Sequence, residues 1–211
     1  MDRWILDGYL CRNAGDDMMI AELCVANPEM RFEAPDLAGG EGPSLTRIPN
    51  LSTGRRSPWL LRACLVEGYV MCGGSMFIDH RQGLRARAQF LRRWMRRILV
   101  AMVLRVRRKS VQVVGCNLGP VETPWGRFIF PVFLWLATRV SVRDSASVAL
   151  LQSWGVDNVE KAPDMVLSYL ARPEVTRRLP ESGLASAVGV SVMEWPGVPR
   201  ATVLDRYASM V

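Results

Sequence analysis

Several short stretches of this chain hold residues able to grip an anion. Asn13-Ala14-Gly15-Asp16, Gly73-Gly74-Ser75 and Gly115-Cys116-Asn117-Leu118-Gly119-Pro120 are glycine turns. Glycine lets a backbone come close to a ligand, and a helix that starts just after such a turn presents unpaired N–H groups. Arg143-Asp144 adds a guanidinium fork, whose planar donors match a phosphate or a carboxylate. Asp164 stands after Pro163 further on. Each of these also has a plainer reading. The turns serve as tight strand-to-helix connections. Asp144 caps a helix beginning at Ser145, Ser147 reinforces that cap, and Arg143 pairs locally. Asp164 faces a cleft or merely ends a strand. The candidate substrate- or anion-binding residues are thus Asn13, Gly15, Asp16, Gly73, Gly74, Ser75, Gly119, Arg143 and Asp164.

His80 is the only histidine. Beside Asp79 it has the makings of an acid–base pair, and the plainer reading is a surface or capping residue. With one histidine, scattered cysteines and no HExxH, no metal site is expected. There is no GxSxG elbow, no Walker loop and no full GxGxxG.

The elements that must carry these residues centre on 111–144. Val111, Val113 and Val114 form an apolar run ending at Gly115, the pattern of a strand buried on both faces. Pro124 and Trp125 open an apolar helix, and Thr138–Val142 is a second β-branched run. This is a βαβ unit with a right-handed crossover. In such sheets ligands sit outside the carboxyl ends of the strands, where Asn117–Pro120 and Arg143–Ser147 fall. Upstream, Trp4–Leu10 reads as a first strand, succeeded by a helix around Met18–Leu23 that Asp16 or Asp17 caps. Met30–Glu33 reads as a short strand, and the glycine- and proline-rich 36–58 as a long loop. Ser57-Pro58 starts a helix through Leu65, and Tyr69–Cys72 is a strand. Over Leu84–Arg107, Leu84, Ala88, Leu91, Met95, Ile98 and Met102 recur at three- and four-residue steps. They predict an apolar stripe packed on the sheet, with Arg85, Arg92, Arg93, Arg96 and Arg97 away from it. Ser145–Trp154 is a helix closed by Gly155, Asn158–Lys161 a strand, and Ala187–Val192 another. The alternation predicts an α/β fold with a mainly parallel sheet. The expected domains are residues 1–171, a polar linker at 172–183, and the start of a second domain at 184–211.

Composition narrows the setting. The chain has 211 residues, 49% of them apolar, and a net charge of +7 carried almost wholly by arginine. That favours an anionic partner: phosphate, acidic sugar, anionic lipid or nucleic acid. No nucleic-acid-binding motif accompanies the charge, so nucleic acid is not expected. The arginine-rich helix suits a solvated basic face or contact with an anionic membrane. The five cysteines are odd in number and form no CxxC pair, as expected for free thiols in a reducing cytoplasm. The opening MDRWILDGYL lacks the features of a signal peptide. The longest apolar runs, Ile98–Leu104 and Phe128–Ala137, fall short of the ~20 residues a membrane span needs.

Several of these strings occur together in one family. VVGCNLGP, then VSVRDSASVALLQSWGV, then APD resembles the polysaccharide pyruvyl transferase family. The matching positions are Gly115, Gly119, Pro120, Arg143, Asp144, Ser147, Gly155, Val156 and Asp164. Asn13-Ala14-Gly15-Asp16 is similar to the family's N-x-GD turn, and Cys72-Gly73-Gly74-Ser75 to its GGG/GGS turn. The four pieces stand in the family's order and roughly its spacing. The resemblance implies a Rossmann-like parallel sheet flanked by helices, forming the N-terminal half of a GT-B-like two-domain architecture. It implies transfer of a pyruvyl group from phosphoenolpyruvate to a pair of sugar hydroxyls, forming a ketal in exopolysaccharide or cell-wall glycan biosynthesis.

Phosphoenolpyruvate is then the donor substrate, no cofactor is required, and the other partner is a glycan or lipid-linked saccharide. Members resemble one another in an Arg-x-His-type element of the C-terminal domain, to which no residue here corresponds. The chain is therefore expected to be a truncated gene product, a fragment, or a protein that needs a partner for the missing half, inactive alone and with its catalytic residues unassigned; a homo-oligomer is the other partner expectation. A nucleotide-sugar-dependent transferase and a non-catalytic α/β remnant or interaction module are the alternatives.

Overall fold

The computed structural model describes residues 2–8, 14–34, 48–53, 59–79 and 83–173, all within the unit Met1–Val175. The expected second-domain start at 184–211, its strand Ala187–Val192, most of the linker 172–183, and also Asn13 and His80, lie outside the described residues.

Seven strands form one parallel sheet: β1 (Asp2–Asp7), β2 (Met30–Ala34), β3 (Leu51–Thr53), β4 (Gly68–Cys72), β6 (Ser110–Cys116), β8 (Arg139–Val142) and β9 (Val159–Lys161). A two-stranded parallel ribbon, β5 (Phe77–Asp79) with β7 (Leu118–Val121), stands beside it. The main sheet runs in the order β3-β2-β1-β4-β6-β8-β9. Chain order reverses between β1 and β4, so the carboxyl ends of these two strands flank the switch point of a doubly wound sheet. The mainly parallel α/β architecture is as the alternation of elements predicts.

Alternation along each strand sends side chains to two cores. On one face Ile5, Tyr69, Met71, Val111, Val113, Val140 and Val142 are buried. They meet α2 (Trp59–Ala63), α3 (Leu84–Val106), α4 (Pro124–Leu136) and α5 (Ser145–Ser153). On the other face Trp4, Leu6, Phe32, Val70 and Cys72 meet α1 (Ala14–Ala26) and α6 (Met165–Leu170). Phe77, Phe90, Trp94, Phe130 and Phe133 knit the first core together. The Trp94 and Phe130 rings lie 4.8 Å apart at a tilt of 59°, within the geometry aromatic pairs prefer.

Besides the unread β5 and α6, the structure differs from the sequence reading in four places. The first strand ends at Asp7, not Leu10. β3 lies inside the stretch read as a loop over 36–58 and pairs with β2 at the sheet edge. The valine run does not stop at Gly115 but continues to Cys116. Gly115 has φ +70, which favours glycine, and the Met19 side chain of α1 lies so close that a Cβ would meet its Cε at 2.4 Å. The next element is β7 rather than a turn into a helix. The fourth difference concerns α3. Its inward face is Trp94, Arg97, Ile98, Ala101 and Leu104. The stripe through Leu84, Ala88, Met95 and Met102 is exposed, and Arg97, expected in solvent, is buried.

Candidate functional site

Five residues from five separate places are stitched together at the carboxyl edge of the sheet. Asp16, in the first turn of α1, accepts a hydrogen bond from the Gly74 N–H at 2.7 Å. It lies inside the first turn of α1 rather than ahead of it, and ties that helix to the turn after β4. The Asn117 N–H, just past β6, donates to the Gly74 carbonyl at 2.8 Å. Asn117 Oδ1 accepts from Arg143 Nη2 at 3.1 Å. Arg143 comes just after β8, and its own N–H donates to the Cys116 carbonyl at 3.2 Å. Arg143 Nη1 is paired with Asp164 Oδ2. Asp164 Oδ1 accepts from the Val166 N–H at 3.0 Å, capping α6.

Gly74 is needed here for space. A Cβ on it would stand 2.8 Å from Arg143 Nη2, so the guanidinium lies directly against the turn. Asp164 and Asn117 engage both terminal nitrogens of a group with five N–H donors. The fork is held in one orientation while a quarter of the side chain stays exposed. A guanidinium oriented in this way suits two-point recognition of a carboxylate or phosphate. Burial raises the Asp16 carboxyl above its ordinary value, and Asp17 and Asp164 add to that. The Gly74 N–H and Arg143 oppose it.

The structure thus gathers Asp16, Gly74, Arg143 and Asp164. Gly15 lies beside Asp16 in α1, Gly73 is buried next to Gly74, and Ser75 is exposed in the same turn. Gly119 is in β7, and its neighbour Leu118 donates its N–H to Ser147 Oγ at 2.8 Å. Both readings of Asp164 hold at once, because one oxygen caps and the other pairs. Asp144 caps α5, with Oδ1 accepting from the Ser147 N–H and Oδ2 from the Ser147 hydroxyl, both at 2.7 Å. Burial pushes the Asp144 carboxyl up, but these Ser147 bonds outweigh it and hold the group below its ordinary value. Asp79 is bonded to Thr123, the N-cap residue of α4, so it serves the start of that helix. Among the described residues no group of three or more His, Cys, Asp or Glu is placed to hold a metal ion.

Sequence reasoning missed Asn117 as a ligand of Arg143, and it missed a buried network below the switch point. Asp7 ends β1. Its two carboxylate oxygens accept from Arg97 Nε at 2.8 Å and Nη2 at 2.9 Å, and from the Tyr69 hydroxyl at 2.6 Å. Burial pushes the Asp7 carboxyl up, but the Arg97 charge and these hydrogen bonds outweigh it, and the group stays below its ordinary value. The available signal was phase. Arg97 lies three residues after Trp94 and four before Ala101, on the buried line of α3.

Comparison with known proteins agrees with this architecture. The sequence profile of the family described as Polysaccharide pyruvyl transferase matches residues 42–210. No curated protein matches the chain. Among solved structures, the chain is similar to Alr3699/HepE from Anabaena, determined in complex with UDP. The identity is 12% and the TM-score 0.50, over 78% of this chain and 44% of that one. It is also similar to UDP-N-acetylglucosamine 2-epimerase from Rickettsia bellii. There the identity is 6% and the TM-score 0.52, over 87% of this chain and 50% of that one. The likeness is one of fold, and the chain spans about half the length of each of these structures.

Proposed function

Because the chain belongs to the polysaccharide pyruvyl transferase family, matching its profile over residues 42–210, we propose that the whole protein modifies a glycan by pyruvyl transfer from phosphoenolpyruvate. In this reaction a proton adds to the donor's methylene carbon, leaving an oxocarbenium-like centre at the carbon that bears the phosphate. One sugar hydroxyl attacks that carbon and loses its proton to a base. Inorganic phosphate leaves, and the second hydroxyl closes the cyclic ketal, its proton balanced by protonation of the departing phosphate. A neutral glycan thereby gains a carboxylate. Exopolysaccharides and cell-wall glycans, including lipid-linked precursors, are the acceptor class. Such chemistry requires cationic and N–H groups for the donor's phosphate and carboxylate, and placed groups for the proton transfers.

The observation that carries the reading is Arg143, held as an oriented fork by Asn117 and Asp164 at the carboxyl edge of the sheet. Arg143 would take the donor's carboxylate or phosphate, with the Gly73-Gly74 turn beside it. Titration calorimetry of the full chain with phosphoenolpyruvate and, separately, with UDP tests this. Phosphoenolpyruvate is expected to bind, and Arg143→Gln to weaken it roughly 10- to 150-fold, the worth of one charge-assisted hydrogen bond. Binding of UDP in preference to phosphoenolpyruvate would instead favour a nucleotide-sugar-dependent transferase. Binding of neither would favour a non-catalytic module.

A further inference from the structure

The outward stripe of α3 has no part in that reaction, and its composition calls for a partner. Leu84, Ala88, Leu91, Met95, Leu99, Met102 and Val106 succeed one another at steps of four and three residues, which places them on one face of the helix. That face is turned away from the sheet. Leu84 and Val106 are 84% exposed, and Met95, Leu99 and Met102 are between 43% and 48% exposed. The helix therefore has two apolar lines. The line through Trp94, Ile98, Ala101 and Leu104 is spent on the core; on the second, Leu91 packs partly against that core, while Leu84, Met95, Leu99, Met102 and Val106 stay exposed. α2 lies alongside, with the Ala63 carbonyl accepting from Arg107 Nη1 at 2.9 Å. It adds Leu61 and, just past its end, Leu65, 63% and 64% exposed. Large apolar side chains exposed in such number mark an interaction site.

Charge chooses the partner. Residues 84–109 hold nine arginines and one lysine and not one aspartate or glutamate. Arg85 and Arg92, each one residue past a stripe position, border the stripe on one side, and Arg105 borders it on the other. All three are exposed. An apolar line between rows of arginine is the arrangement of a helix lying in the plane of an anionic bilayer, its apolar side chains among the acyl chains and its cations at the headgroups. A second copy of the same surface fits poorly, since the arginine rows would face each other with no acid between them. Among the described residues no helix is long and apolar enough to cross a membrane, so the contact is one of surface.

We propose that α3, flanked by α2, is a docking face for anionic lipid membranes. The proposal uses only the exposure and charge of α3, so it stands or falls independently of the pyruvyl transfer reading. The test is sedimentation of the full chain with phosphatidylcholine vesicles, with and without phosphatidylglycerol, at low and high salt. Two surface variants accompany it, Met95→Asp/Met102→Asp and Arg85→Gln/Arg92→Gln. Both change exposed positions, and circular dichroism checks that each folds. The expected result is partition onto the anionic vesicles alone, lost at high salt. The arginine variant should weaken it about 30-fold, at roughly fivefold per basic residue, and the aspartate variant should abolish it. Failure to partition, equal partition onto neutral vesicles, or an aspartate variant that binds like the parent would overturn the proposal. So would a dimer, seen by light scattering, that the aspartate variant splits while vesicles bind nothing. That result would assign the stripe to a second copy.

Discussion

Replacing Arg97 by methionine isolates the energetics of the buried network beneath the switch point. The Asp7 and Arg97 side chains are 7% and 5% exposed, so solvent screens their interaction little. The pair is bidentate, and Tyr69 supplies a third hydrogen bond to the same carboxylate. Arg97→Met leaves the carboxylate buried with Tyr69 as its remaining partner of the two. Removing one member of a buried pair costs about 3–5 kcal/mol, a large share of the about 5–15 kcal/mol that holds a domain together. The pH dependence then changes sign. In the parent chain the Asp7 carboxyl is held below its ordinary value of 3.8. Its contribution is therefore present above the unfolded value and lost as pH falls through the folded one. In the variant, burial is opposed only by the Tyr69 hydrogen bond and the Arg96 charge, and the carboxyl is expected to rise above its ordinary value. The folded state then binds the proton more tightly than the unfolded state, and the deficit shrinks as pH falls through the raised value. Urea unfolding followed by circular dichroism, from about pH 7 down through the ordinary carboxylate range to about pH 3, measures both effects. The double variant Asp7→Leu/Arg97→Met removes both charges and should recover much of the loss, because a buried pair exchanged for apolar groups is often neutral. A loss under about 1 kcal/mol for Arg97→Met, as at a surface pair, would refute the reasoning. So would a deficit that acid leaves unchanged.

Other expectations rest on single contacts. Gly74→Ala should leave the melting temperature nearly unchanged, because the colliding atom is the tip of the Arg143 side chain. It should still weaken phosphoenolpyruvate binding by displacing that guanidinium. Gly115→Ala meets Met19 Cε at 2.4 Å with φ at +70, and thermal unfolding should show a loss of about 1–3 kcal/mol. Asp144→Ala removes the cap of α5, worth about 1 kcal/mol and at most about 2. In the parent that contribution is present above the ordinary carboxylate value and fades as acid takes the pH through the depressed one, which urea unfolding in acid will register. Burial pushes the thiols of Cys24 and Cys116 up to about 12 and that of Cys72 well above its ordinary value. In the native protein near pH 8, alkylation and then peptide mapping should therefore find exposed Cys64 labelled and these three protected.

How much of this was legible beforehand depended on the range of the interaction. Asp144 and Ser147 are three residues apart, and their cap was readable because both partners lie within one helical turn. Gly155 closes α5 as its type suggests, with φ +68. The ring around Arg143 was legible only as separate pieces. Its members were singled out as site candidates, apart from Asn117, but not their bonding. Asp16 reaches Gly74 across 58 residues, and Arg143 reaches Asp164 across 21. Asp7 and Arg97 are 90 residues apart, and nothing local to either residue points to the other.

By itself, then, the sequence determined the local and periodic features: parallel strands as apolar runs, helices with their caps, and the ordered glycine, Arg-Asp and Asp motifs that place the chain in its family. Tertiary structure alone decided which faces and partners those elements use. Helical periodicity reveals an apolar line but not what covers it, and α3 has two such lines. The sheet order, with β4 between β1 and β6, brings Asp7 under Arg97 and gives the core one line of α3. The other line stays outside because the sheet can bury only the face turned toward it.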